Sequence, residues 1–218
     1  MGAPDQPSLD AGGFAALKRL RRMPQAAEIC EICSRDLGAE HPHAIDPRER
    51  RIVCTCDACA LLFESSTSMR YRRIPRDAFH LRNFEIDDVE WESLSIPIGL
   101  AFFFESSAMK RVTAVYPSPG GAVQAEVPQA VWQEITQRHP RVQQMQSDVQ
   151  ALLVNRLGDS RRYFLAPIDR CYELTGLLRK YWSGFTGGDE LWAEVHKFFK
   201  RLAEQAIGVG AMDARPAV

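Results

Sequence analysis

The sequence lacks an apolar run long enough to cross a membrane. Its longest apolar run, residues 96–104, is the length of a strand, and nowhere are there about eighteen consecutive apolar residues. The first residues are small and polar and lack the apolar core of a secretory signal. Gly2 is followed by Gln6 where a myristoylation signal requires Ser or Thr. These absences predict a cytoplasmic protein without a membrane span.

An excess of charge of either sign is also missing. The 27 Lys and Arg residues are balanced by 28 Asp and Glu residues, which gives a net charge of -1. This balance provides no overall field that would attract nucleic acid or an anionic membrane. The basic and aromatic residues between 70 and 82 are followed directly by acidic residues between 85 and 92. We expect this stretch to be solvated or internally paired, so nucleic acid is not an expected partner.

The familiar catalytic motifs are absent as well. The sequence contains no phosphate-binding glycine loop, no Gly-x-Ser-x-Gly elbow and no His-Glu-x-x-His motif. Its glycines cluster only where turns are expected. With no catalytic residue to assign, we expect a protein that is not an enzyme.

Cysteine, in contrast, is concentrated in one stretch. Five of the 6 cysteines and two of the 5 histidines lie within residues 30–59. A Cys-x-Cys sequence beside a Cys-x-x-Cys sequence, with no export signal, suits a metal better than a disulfide framework. Two Cys-x-x-Cys pairs about two dozen residues apart have the spacing of a four-thiolate zinc site. The predicted zinc ligands are Cys30, Cys33, Cys56 and Cys59.

Three neighbouring residues are alternative ligands. Cys54 and Cys56 are two positions apart, so both thiols of an extended strand would lie on one side. His41 and His43 share a face for the same reason. The histidines could replace a thiolate, form a separate site, or hydrogen-bond to the site from outside. Cys54, His41 and His43 therefore stand as substitutes for a predicted ligand.

The local pattern around the cysteines predicts a treble-clef zinc module. Residues 30–33 form a tight turn, and residues 41–46 and 50–56 alternate as two short strands with a turn at Asp46. The second cysteine pair is followed by the residues ALLF, which predict the first turns of a helix. Thiolates at a helix N-terminus are stabilised by free amides and by the helix dipole.

The rest of the chain predicts an α+β fold built on an antiparallel sheet of about five strands. In residues 96–104, Phe102 and Phe104 lie on one face and Phe103 on the other, so this strand is expected to be central and covered on both sides. Four further strands are predicted at 112–116, 123–127, 151–156 and 161–167.

About three packed helices complete this fold. The first covers residues 129–139, and Pro140 stops it. The second is capped by Asp169, and the third starts at Asp189 or Glu190 and ends at Gly208. The predicted regions are 1–27, a flexible tail with a short basic helix; 28–64, the cysteine-rich zinc module; 65–95, a charged linker with a short helix; 96–207, the α+β domain; and 208–218, a tail.

Two other functions are compatible with the cysteine cluster. Four thiolates can also hold a single iron, as in an electron carrier of the rubredoxin type, although rubredoxins use two tight turns rather than a turn and a helix. His41 and His43 lie where a nuclease of the His-Asn-His kind would place its general base. That hairpin contains no Asn, and no His lies among the twenty residues after Cys59 to complete a magnesium site. A structural zinc therefore fits the pattern better than either.

Several strings of the sequence together resemble an uncharacterised bacterial family. They are CEIC, EHPH, RRIVCTCDACALLF, RYRRIP, IPIGLAFFF, VYPSPGGA, ALLVNR, YFLAPIDRCYELTGLLR and WSGFTGGDELW. The resemblance covers residues 28 to about 202. The family is associated with gene clusters for nickel–iron hydrogenases of the actinobacterial, oxygen-tolerant type.

The resemblance implies a role but no chemistry. It suggests an accessory protein that assembles, matures or escorts a hydrogenase, with a hydrogenase subunit or maturation factor as its partner, and this implication is associational. The family provides no catalytic residue to carry over. The sequence as a whole thus predicts a non-enzymatic, zinc-binding accessory protein that binds a partner protein.

Overall fold

A computed structural model describes residues 28–64 and 70–209 of the chain. The predicted basic helix and tail within residues 1–27, and the tail beyond residue 209, lie outside these ranges. The described residues form ten strands and six helices, in this order: β1 His43–Asp46, β2 Arg51–Cys54, α1 Asp57–Leu62, β3 Arg72–Arg73, β4 Phe79–Leu81, α2 Asp88–Ser93, β5 Leu100–Ser106, β6 Arg111–Ser118, β7 Gly121–Glu126, α3 Gln129–Gln137, α4 Pro140–Gln143, β8 Gln150–Asn155, β9 Arg162–Pro167, α5 Ile168–Tyr181, α6 Asp189–Gln205 and β10 Ile207–Val209.

The larger sheet has seven strands in the order β10-β4-β9-β8-β5-β6-β7. All neighbours in it are antiparallel except β10 and β4, which are parallel. The fold is therefore mixed α+β, as predicted, but the expectation of about five strands was wrong. The five predicted strands are β5 to β9.

The two additional strands lie together at one edge of the larger sheet. β4 and β10 have three residues each, too few for an alternating pattern to be recognised in the sequence. β4 falls in the segment predicted as a charged linker, and β10 follows directly after α6. The last helix ends at Gln205 rather than at Gly208, because Ile207 to Val209 pair with β4 instead.

Helices cover both faces of this sheet. On β5, Phe102 and Phe104 pack with the buried faces of α5 and α6, whereas Phe103 packs on the opposite side with α2, α3 and α4. β5 pairs with β8 on one side and β6 on the other. The prediction of a central strand covered on both faces is confirmed.

The helices were predicted more completely than the strands. α3, α5 and α6 are the three expected long helices, and the short helix in the charged segment is α2, whose Asp87 and Glu90 form a reciprocal cap. The short helix α4 was missed because Pro140 occupies its first turn and was read only as a helix stop. No helix among the described residues is both long and apolar enough to pass through a bilayer.

A second, smaller sheet carries the cysteine-rich stretch, with the order β2-β1-β3. Its strand β1 contributes Ile45 to the same buried cluster as Phe102 and helices α5 and α6. At the β1–β2 turn, the buried carboxylate of Asp46 accepts hydrogen bonds from the backbone amides of Arg48 and Glu49. The small sheet is thus packed against the α5–α6 side of the larger one.

Candidate metal centre

The first cysteine pair lies in a tight turn. The amide of Ser34 donates to the carbonyl of Cys30 at 2.8 Å, and the amide of Cys30 donates to the carbonyl of Arg35 at 2.7 Å. Ser34 has a positive φ of 60°, which lets the chain reverse directly after the second thiol. The turn therefore directs Cys30 and Cys33 toward a common point.

Two hydrogen bonds attach this turn to strand β2. The amide of Glu31 donates to the carbonyl of Cys54 at 2.9 Å. In return, the amide of Cys54 donates to the Glu31 carboxylate at 2.9 Å. These reciprocal bonds bring the first cysteine pair next to the chain segment that leads into the second pair.

The second cysteine pair lies at the start of helix α1. Cys56 is the N-cap residue, its carbonyl accepts the amide of Ala60 at 2.9 Å, and Cys59 is in the first turn. Free amides at this end of a helix favour negative charge on nearby sulfur. The order of turn, hairpin and helix predicted from the sequence is therefore present.

The four predicted ligands converge. The Sγ atoms of Cys30, Cys33, Cys56 and Cys59 all lie within 4.8 Å of one another. The Cys33–Cys56 separation is 3.7 Å, far longer than a disulfide bond of about 2.05 Å. Metal–sulfur bonds of about 2.3 Å in a tetrahedron place the sulfurs about 3.8 Å apart. The arrangement therefore fits a tetrahedral ion held by four thiolates.

The surroundings of the cluster shift the thiol pKa values of Cys30, Cys56 and Cys59 in different directions. Burial opposes ionisation of Cys30, but the amides of Cys56, Cys33 and Ile32 lower its pKa to about 6. The amide of Cys59 also lowers the pKa of Cys56. Burial raises the pKa of Cys59 to about 12. A divalent cation would offset this last penalty, because a coordinated thiol loses its proton.

The three alternative ligands form a separate group. One candidate ligand atom from each of His41, His43 and Cys54 lies within 4.8 Å of the other two. His43 is directly opposite Cys54 in the β1–β2 ladder. The amide of the next residue, Thr55, donates to the carbonyl of Pro42. His43 and Cys54 are therefore a non-hydrogen-bonded pair of the antiparallel ladder, the type in which opposite side chains lie closest together.

Both imidazole rings of this group are oriented by hydrogen bonds. His43 Nδ1 lies 2.8 Å from the Asp169 carboxylate. His41 Nδ1 lies 2.9 Å from the carbonyl of Gly38 and 3.5 Å from the carboxylate of Glu28. Burial and the neighbouring carboxylates of Glu28 and Glu31 raise the pKa of the Cys54 thiol.

The expectation that Cys54 and Cys56 share one face is wrong. Strand β2 ends at Cys54, and Cys56 already caps helix α1. The turn between them directs the two thiols into different groups, so Cys54 joins the histidines and Cys56 joins the other three cysteines. Which metal, if any, either group binds stays a prediction.

Asp169 is the site residue that the sequence did not reveal. It was expected to cap a helix, but α5 begins at Ile168 and has Pro167 at its N-cap. The Asp169 carboxylate accepts the amide of Arg170 through Oδ1 and contacts His43 through Oδ2. Asp169 and His43 are 126 positions apart. Only the packing of α5 beside the hairpin brings them together, and no local sequence motif predicts this contact. The sixth cysteine, Cys171, is fully buried in the core, as expected.

The comparisons with known proteins identify a family without a known role. The model of a family of unknown function (DUF5947) matches residues 29–206. No curated protein matches the chain, and no solved structure matches it. The matched region contains both side-chain groups described above.

Proposed function

The chain belongs to this family of unknown function, and we propose that it is a non-catalytic accessory protein that holds a structural zinc ion and binds a partner protein. The observation that carries the proposal is the convergence of four thiols on one point. Four thiolates complete a tetrahedral coordination sphere and leave no position for a reacting molecule. An ion held there would stabilise the fold of residues 28–64 as a treble-clef module.

Exposed apolar side chains on this module support partner binding. Ile29 precedes the first cysteine pair and Ile32 lies within it, and Leu61 and Leu62 follow the second pair on α1. Leu61 and Leu62 are 57% and 59% exposed. Leu61 and Leu62 are adjacent on the helix surface, and contiguous exposed apolar side chains mark surfaces that bind other proteins. The zinc ion would hold the turn and the helix that present them.

The proposed partner is a subunit or a maturation factor of a nickel–iron hydrogenase. This part of the proposal is supported by the sequence strings that resemble the hydrogenase-associated family. It places the protein in the assembly of that enzyme rather than in its catalytic cycle.

Affinity purification of a tagged full-length copy from the native host tests the proposed partner. We expect a hydrogenase subunit or maturation factor to be retained. Replacing Leu61 and Leu62 with Glu should reduce its recovery at least tenfold, because charges would be buried at the contact. Val89→Glu is the matched control, since Val89 is 73% exposed on α2. Purification of nucleic acid alone would contradict the proposal and favour the nuclease alternative.

Iron in the same four-thiolate site is the alternative. A rubredoxin-like electron carrier binds its iron between two tight turns, whereas here Cys56 and Cys59 belong to the start of a helix. This difference favours zinc. The visible spectrum of the purified protein separates the two, because iron bound by thiolates is red and bleaches on reduction, whereas the zinc protein is colourless.

A further inference from the structure

A buried nitrogen without a partner lies in the group of His41, His43 and Cys54. The His41 side chain is only 7% exposed, and its Nδ1 is used by Gly38. Its other ring nitrogen, Nε2, is buried and makes no hydrogen bond. Leaving a buried polar atom unpaired destabilises a folded protein. Such an atom beside a second imidazole and a thiol is placed to bind an ion.

We propose that His41, His43 and Cys54 form a second metal site, distinct from the four-cysteine cluster, for a late first-row divalent ion such as Zn²⁺ or Co²⁺. Two imidazoles and one thiolate are a donor set that such ions prefer. Metal–nitrogen bonds of about 2.0 Å and metal–sulfur bonds of about 2.3 Å require the ligand atoms to lie about 3.5 Å apart. One candidate ligand atom from each residue lies within 4.8 Å of the other two, so the group is compact enough for its side chains to converge on one ion.

The hydrogen bonds outside the group match those of metal-binding histidines. A histidine that binds a metal commonly donates its other ring N–H to a carboxylate or a backbone carbonyl, which fixes the tautomer. His43 has the Asp169 carboxylate in that position, and His41 has the carbonyl of Gly38. Both Nδ1 atoms are thereby occupied. Nε2 of each ring is left to bind the ion.

The charges around the group also favour a cation. The Glu31 carboxylate, which is itself paired with Arg51, accepts the Cys54 amide, and the Glu28 carboxylate lies 3.5 Å from His41 Nδ1. Asp169 adds a third negative charge. Two neutral imidazoles and one thiolate leave a bound divalent ion with a net charge of about +1, which these carboxylates offset.

The proposed site differs from the four-cysteine cluster in having an open coordination position. Three protein ligands leave the fourth position of a tetrahedron to water or to a ligand from another molecule. The His43 side chain is 30% exposed. In the four-cysteine cluster Cys33 is exposed, but Cys30, Cys56 and Cys59 are buried and four thiolates fill the coordination sphere. We therefore expect the second ion to exchange readily and the first to be retained.

Metal stoichiometry of the intact chain tests the second site. Full-length protein, saturated with Zn²⁺ under reducing conditions and freed of unbound ion, should contain two ions per chain. A variant with His41→Gln and His43→Gln should contain one. Its remaining ion should resist a mild chelator that removes the second ion from the wild type. Co²⁺ in place of the exchangeable ion should give a thiolate-to-cobalt absorption band that the variant lacks.

Two further variants keep the test decisive. His196→Gln changes an exposed histidine on α6 and should retain both ions. Cys54→Ser changes one atom of a partly exposed side chain and should lose only the second ion, even if the double variant does not fold. A wild type that saturates at one ion per chain would overturn the proposal. So would a second ion that is bound unchanged by Cys54→Ser and by the histidine variant.

Discussion

At the scale of single residues, Asp46 links the turn of the cysteine-bearing hairpin to the segment that follows it. Asp46 is 2% exposed, and its carboxylate accepts hydrogen bonds from two backbone amides and from the side chain of Arg70. We predict that Asp46→Ala lowers the free energy of unfolding by about 1–3 kcal/mol, because buried amides lose a charged acceptor. Chemical denaturation measures this change. Glu49→Ala, which removes only an exposed partner of Arg70, should have little effect.

The same carboxylate makes stability sensitive to acid. The Arg70 side chain lowers the pKa of Asp46 below its ordinary value of 3.8. A carboxyl whose pKa is lowered by folding stabilises the protein fully above that ordinary value, and the contribution is lost as the pH falls through the folded pKa. When the pH is lowered from neutral to pH 3, the free energy of unfolding should therefore fall less in Asp46→Ala than in the wild type. Chemical denaturation at each pH measures this. An equal loss in both would show that other groups cause it.

Asp169 acts on the proposed second site through His43 rather than by binding the ion. Asp169→Asn should lower the affinity for the second ion about 10–100-fold, because the His43 imidazole loses the carboxylate that orients it and makes it more basic. The ion of the four-cysteine cluster should be unaffected. Competitive titration with a chelator of known affinity measures both ions. Glu173→Gln, on the exposed side of the same helix, is the control.

At the scale of elements, the turn that contains Cys33 depends on the ion it is proposed to bind. Structural zinc sites couple metal binding to folding, so Cys33→Ser should release the ion and unfold the turn and hairpin of residues 28–64. Loss of hairpin amide signals, together with loss of the ion of the four-cysteine cluster and of any ion bound by His41, His43 and Cys54 in the same hairpin, would show this. Cys171→Ser, which alters a buried core thiol, should keep its full metal content. A Cys33→Ser chain that keeps its hairpin without metal would contradict the structural role.

Gly99 lies where the chain approaching β5 passes close to the end of β8. A Cβ atom at this position would be 2.5 Å from the carbonyl oxygen of Arg156. Gly99→Ala should therefore destabilise the protein by about 1–3 kcal/mol, because two backbones would have to separate. Gly176→Ala is the control and should have the opposite effect. A Cβ atom at this position in α5 would meet open space, and alanine in a helix should raise the free energy of unfolding by about 0.5–1 kcal/mol. Thermal unfolding of both variants tests this contrast.

The elements that the sequence predicted well are those with a long pattern. α6 buries Leu191, Val195, Phe198, Phe199 and Leu202, the apolar face that helical spacing predicts. The strand containing Phe102 to Phe104 was equally clear. β4 and β10 were missed because three residues cannot display an alternation, and they are strands only because a neighbouring edge accepts their backbone hydrogen bonds.

At the scale of the whole molecule, the smaller sheet that carries the cysteine-rich stretch is connected to the larger sheet and its helices by several separate contacts. Ile45 enters its core, Arg50 donates to Tyr172 on α5, and Arg72 bonds Asp148 next to β8. These contacts join residues that are far apart in the chain, so no local pattern predicts them. The four-cysteine group could be predicted because ligand spacing is local. The contact of Asp169 with His43, and the division of seven ligand candidates into two groups, depend on how the hairpin packs.

X-ray absorption of the purified protein tests the central proposal most directly. The chain with His41→Gln and His43→Gln should be used, so that only an ion in the four-cysteine cluster contributes to the spectrum. The account predicts a zinc edge, with one zinc per chain and about four sulfur neighbours at about 2.3 Å. An iron edge would assign the site to the rubredoxin-like alternative. Zinc coordinated mainly by nitrogen or oxygen, or less than one metal ion per chain, would contradict the account.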